Sequence, residues 1–180
     1  MALNATIFKA ELQIADMERH YYKTHAITLA RHPSETDERM MVRTLAFGLH
    51  AHEFLSFGKG LSTDDEPDLW QKDLTGAIEL WIDVGLPDEK RLRKACGRAD
   101  QVVVYAYGGR GVDMWWEQNK AKVQRFTNLT VMNLSLITTK ELAKLAARTM
   151  QLQFTIQDGQ VWVSDGAETV LVDRVALKSC

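Results

Sequence analysis

The 180-residue chain is short of cysteine, proline and net positive charge. Its two cysteines, Cys96 and Cys180, cannot form a metal quartet by themselves, and no Cys-x-x-Cys occurs. So few thiols fit a reducing compartment. Prolines number three, Pro33, Pro67 and Pro87, and each falls where an element starts or stops. The formal net charge is −2 and the isoelectric point is near 6.2. General nucleic-acid binders are basic overall, so a polyanion contact here has to come from a local patch. No apolar run approaches the roughly 18 residues of a membrane span, and no basic segment followed by an apolar run opens the chain. The expectation is a cytoplasmic protein with no membrane contact. No nucleophile elbow, phosphate-binding glycine loop or zinc spacing is present. Gly108-Gly109-Arg110-Gly111 reads as a turn.

Hydrophobic residues make up 46% of the chain, which argues against disorder and for a full core. No repeat or low-complexity linker divides it, so residues 1–180 are expected to form one domain. Apolar and polar residues alternate over residues 5–13 and 21–30, predicting an opening β-hairpin. Ser34 offers a cap to a helix running to about His52, with Glu35, Asp37 and Glu38 in its first turn. Strands are expected at 54–60, 68–71 and 78–84, then a basic helix from Leu86-Pro87-Asp88-Glu89, then an apolar strand at 101–107. Trp115 to Phe126 reads as a helix and 129–134 as a strand. Thr138-Thr139-Lys140-Glu141 fits a capping box for a helix to about Arg148. QLQFTIQ and QVWVSD flank Asp158-Gly159 as a closing hairpin, and VLVDRVAL adds a final strand.

The most informative stretch is residues 64–85, DDEPDLWQKDLTGAIELWIDVG. Asp68 follows Pro67 and begins one strand; Asp83 lies near the end of the next. Side chains alternate along residues 78–84, so Glu79, Trp81 and Asp83 share a face. The start of one antiparallel strand lies beside the end of its partner, which places Asp68 near Asp83. Paired carboxylates are what a magnesium-dependent phosphodiester nuclease needs, because Mg²⁺ and Mn²⁺ take hard oxygen ligands. The alternative is structural: Asp68 closing a loop and Asp83 solvated at an edge.

Met1–Ala10, Leu29–Thr36, Asp64-Asp65-Glu66-Pro67, Leu80–Glu89 and Thr155–Gly159 resemble the bacterial YaeQ family, and the likeness spans nearly the whole chain. It implies an α/β fold like that of PD-(D/E)xK nucleases: a mixed sheet flanked by helices, with added N- and C-terminal β-hairpins. The order helix, three strands, helix, strand, helix, strand over the middle of the chain agrees. The likeness also implies Asp68 and Asp83 as ligands of Mg²⁺ or Mn²⁺. The lysine of that signature belongs two residues after the second acid, where this chain has Gly85. Lys90 or Lys94, four apart on the next helix, can supply the charge instead; a solvated basic face is the alternative. Glu38 matches the position of a further acid in that superfamily, and complementing the helix dipole is its other role. Basic residues gather at Lys90, Arg91, Arg93, Lys94 and Arg98, and again at Arg110, Lys120, Lys122 and Arg125. Two functions follow: a metal-dependent nuclease, or a non-catalytic nuclease-fold protein that binds nucleic acid or a protein partner.

Overall fold

The structure, a computed structural model, describes residues 4–59 and 65–180. Gly60 and Asp64, placed above in a strand and in the acidic run, lie outside the described residues. Among the described residues the fold is mixed α/β, with two mixed sheets and four helices. The chain divides into two compact units, residues 1–44 with 137–173, and residues 45–136 with 174–180.

In the first unit, β1 (Thr6–Asp16) and β2 (Tyr21–Arg31) form the expected opening hairpin. β1 buries Phe8, Ala10, Leu12 and Ile14 on one face, the alternation read in the sequence. Its other edge pairs in parallel with β8 (Thr149–Gln157), so that Lys9 lies opposite Thr149. β8 turns antiparallel into β9 (Gln160–Ser164) through Asp158 and Gly159, whose φ values of 53° and 75° are those of a tight hairpin turn. β10 (Thr169–Leu171) completes a sheet of order β10-β9-β8-β1-β2. Both terminal hairpins thus share one sheet.

Helix α1 (Asp37–Leu49) begins later than Ser34. Thr36 is its cap, its hydroxyl accepting the Arg39 N–H at 3.1 Å. Ser34 instead bonds His32, and Glu35 leaves the helix to meet Arg39 and Arg43. Helix α4 (Leu136–Lys144) starts before the expected capping box and stops short of Arg148. Its Thr138 and Thr139 are buried: Thr138 Oγ1 accepts the Asp173 N–H at 2.9 Å, and Thr139 Oγ1 donates to Glu38 at 3.1 Å. Those tertiary partners take the hydroxyls a cap would have used.

The second unit holds a six-stranded sheet of order β11-β7-β6-β5-β4-β3. β3 (Leu55–Phe57), β4 (Leu69–Lys72) and β5 (Ile78–Val84) form an antiparallel meander. β5, β6 (Ala99–Ala106) and β7 (Leu129–Leu134) run parallel, joined by α2 (Glu89–Arg98) and α3 (Arg110–Val123). Both crossovers step the same way across the sheet, and right-handed connections then set both helices on one face. The core agrees: Trp81, Val102, Val104 and Val131 pack with Leu92 and Ala95 of α2 and Val112 and Trp115 of α3. α3 starts at Arg110, five residues before the expected Trp115, after Gly109 with φ 65°. VLVDRVAL is two strands, not one: β11 (Arg174–Lys178) pairs with β7 in the second sheet, while β10 stays in the first.

Candidate functional site

The site lies in the second unit, where β4 begins and β5 ends. Leu69 pairs with Ile82 and Trp70 with Trp81, so the register brings Asp68 opposite Asp83. Asp83 shares the face of Trp81, the face that α2 covers. Both acids are buried, at 7% and 2% exposure. Asp68 Oδ2 accepts the Val84 N–H at 2.7 Å. Arg91, in the first turn of α2, meets Asp83 with two parallel bonds, Nε to Oδ2 at 2.8 Å and a terminal nitrogen to Oδ1 at 2.9 Å. That same terminal nitrogen donates to the Glu66 carbonyl at 2.9 Å.

The position of Arg91 has a local origin. Pro87 ends the loop after β5, and Asp88 caps α2 by accepting the Arg91 N–H at 2.8 Å. The Pro87 carbonyl accepts Nε1–H of Trp115 at 2.7 Å, fixing the entry of α2 against α3. Arg91 is therefore held by its main chain at Asp88 and by its side chain at Asp83. Its guanidinium also lies 5.9 Å from the Trp81 ring centroid, with Arg98 at 5.2 Å.

Lys94 pairs with Asp65, both side chains exposed, and the ammonium holds the Asp65 carboxyl below its usual range. Arg98 donates to the Asp65 carbonyl at 2.8 Å. Lys90 is exposed and joins Arg91, Lys94, Asp65 and Asp88 around an open cavity of about 500 Å³. Glu79 accepts a bond from Gln71 at 2.8 Å. Glu38 belongs to the first unit, where it accepts from Thr139 and lies 3.7 Å from Lys140. Gly85 carries φ 110°, a conformation that a lysine side chain would strain.

The structure thus brings Asp68, Asp83 and Arg91 together, with Lys90 and Lys94 on the adjoining helix. Arg91 is the residue that sequence reasoning missed as a site member: it was one cation in a basic run. The usable signal was the Pro87-Asp88 helix start, which commits Arg91 to the first turn. Taken as a donor set, this centre suits a guanidinium. A Mg²⁺ or Mn²⁺ ion takes about six oxygens at close range, and each oxygen of Asp83 already accepts an Arg91 N–H. As placed, these residues do not fit a divalent ion.

Several known proteins share this architecture. A family model described as YaeQ protein matches residues 1–174. The protein called "Uncharacterized protein YaeQ" in Salmonella typhi is 47% identical over 176 residues, covering 98% of this chain and 97% of that one. Its namesake in Escherichia coli K12 is 47% identical over 179 residues, with the same coverage. The crystal structure of YaeQ protein from Xanthomonas axonopodis pv. citri superposes with a TM-score of 0.94 at 48% identity, covering 98% of this chain and 99% of that one. That of YaeQ protein from Pseudomonas syringae gives 0.93 at 35% identity, covering 98% and 97%. The resemblance noted in the sequence is established by these matches: the chain belongs to the YaeQ family.

Proposed function

We propose that this chain is a cytoplasmic, non-catalytic relative of the PD-(D/E)xK nucleases that binds nucleic-acid phosphates along α2. The observation that carries the reading is the charge of that helix. Lys90, Arg91, Arg93, Lys94 and Arg98 stand on ten residues that hold one acid, Glu89. Lys90 and Lys94 open together onto the cavity beside Asp65, whose wall Arg91 completes while paired to Asp83. The Lys94–Asp65 pair is exposed, so it contributes little and yields readily to a phosphate. Arg93 reaches Glu89 only at 3.8 Å. Gly85, where a nuclease lysine belongs, supports binding without cleavage.

The test is fluorescence anisotropy with labelled single-stranded DNA, duplex DNA and single-stranded RNA at 50 and 200 mM salt. Affinity is expected to fall with salt. Replacing Lys90 and Lys94 together with alanine should weaken binding and reduce the salt slope by about 2. No binding to any of the three at low salt, or an unaltered slope in the double variant, overturns the reading.

One observation favours the metal-dependent nuclease instead, namely the register that sets Asp68 opposite Asp83. On that reading Asp68 and Asp83 hold Mg²⁺ or Mn²⁺, and Lys90 or Lys94 supplies the charge. Purified protein would then cleave DNA or RNA in the presence of Mg²⁺ or Mn²⁺, and Asp83→Asn would abolish cleavage. Equal cleavage by parent and variant would trace to a contaminant.

A further inference from the structure

We infer that Arg91 is a built-in cation that takes over the charge role of a divalent ion at Asp83, making this centre a fixed ion-pair lock between α2 and β5. The inference stands apart from whether α2 holds nucleic acid. Four observations carry it. First, the pairing is bidentate, 2.8 and 2.9 Å, so both oxygens of Asp83 are used. Second, Asp83 is 2% exposed, and a carboxylate that stays ionised at such burial is stabilised by a paired counter-charge. Third, the arginine is held at both ends, its N–H by Asp88 and a terminal nitrogen by the Glu66 carbonyl. Fourth, Asp68 Oδ2 accepts the Val84 N–H, so the acid facing Asp83 is itself tied to the end of β5.

Arg91 is therefore a positioning residue. It joins the start of α2, the end of β5 and the chain at Glu66 through one planar group. A metal entering the site has to displace the guanidinium from a buried carboxylate and leave it without that partner. Arginine suits the task better than lysine, because its fork matches both carboxylate oxygens while the Trp81 ring lies beside its plane.

The experiment is a Mn²⁺ titration followed by the electron paramagnetic resonance signal of free Mn²⁺, alongside thermal melts. The parent chain is expected to leave the free Mn²⁺ signal unchanged up to millimolar metal and to melt at the same temperature with and without it. Arg91→Ala should melt roughly 5–15 °C lower. Mn²⁺ should partly restore that loss, and the rescue should vanish in Arg91→Ala/Asp83→Asn. Arg91→Lys keeps the charge and loses the fork, so it should melt between the two without gaining rescue. Sequestration of Mn²⁺ by the parent that Asp83→Asn removes would overturn the inference. So would an unchanged melting temperature in Arg91→Ala. Should Arg91→Ala fail to fold, the parent titration with Asp83→Asn, and the Arg91→Lys melt, still decide it.

Discussion

Asp16 closes β1 and turns its carboxylate onto the chain that follows, accepting the N–H groups of Glu18 and Arg19 and the Arg19 Nε–H. Burial alone would raise its pKa, but the bonds and charge of Arg19 and the Glu18 N–H together hold it below the usual value. A lowered carboxylate pKa stabilises the fold above the unfolded value near 3.8, and that stability is lost as pH falls through the folded value. Asp16→Asn should therefore melt lower than the parent at pH 6, with the difference narrowing as pH falls below 3.8 and through the lowered folded value; melts across that range check this. Cys96 tests the other direction. Burial pushes its thiol up to about 11, and Cys180 is exposed. Disulfide-exchange labelling at pH 8 should modify one thiol quickly and the other slowly, with Cys180→Ser removing the fast phase. At this scale the sequence was informative only where partners are local. Alternation along β5 and the antiparallel turn before it put Asp68 beside Asp83. The claim of Arg91 on Asp83 depends on how α2 lies against the sheet, which no spacing records.

Element boundaries show the same division. The strands were legible because alternation and the Asp158-Gly159 turn are written in neighbouring residues. Helix starts were legible only where the cap was used as a cap. Asp88 is such a case, whereas Ser34 and the Thr138–Glu141 box offered signals that tertiary contacts redirected. Thr36→Ala should cost about 1 kcal/mol in denaturant unfolding, and Ser34→Ala only a few tenths, which separates the cap from its neighbour. VLVDRVAL read as one strand because apolar residues flank Asp173-Arg174 on both sides. Its division between two sheets follows from the Asp173 N–H turning to Thr138, a contact 35 residues away in the chain. The core can be tested in the same way: Trp81 is 1% exposed, and Trp81→Ala should lose about 3–5 kcal/mol.

Neither unit is a continuous piece of chain, which explains why composition shows no break between them. One boundary falls inside α1, after Thr44. Because α1 runs across that boundary, a single unfolding transition is expected. The tryptophans provide the measurement. Of the five, Trp70, Trp81, Trp115 and Trp116 belong to the second unit and Trp162 to the first. In Trp162→Phe, fluorescence reports the second unit alone while far-ultraviolet circular dichroism reports both. Coincident urea curves are expected, and separated midpoints would show the units unfolding independently. The parallel pairing of Lys9 with Thr149 bears on synthesis as well. At about 5–20 residues per second, β1 leaves the ribosome roughly 7–30 s before its inner neighbour exists. Until then it has only β2, and a lone hairpin is marginal in water. The edge of β1 that β8 later takes thus stays open through most of synthesis, and the strand that carries Phe8, Leu12 and Ile14 is held by a two-stranded ribbon alone.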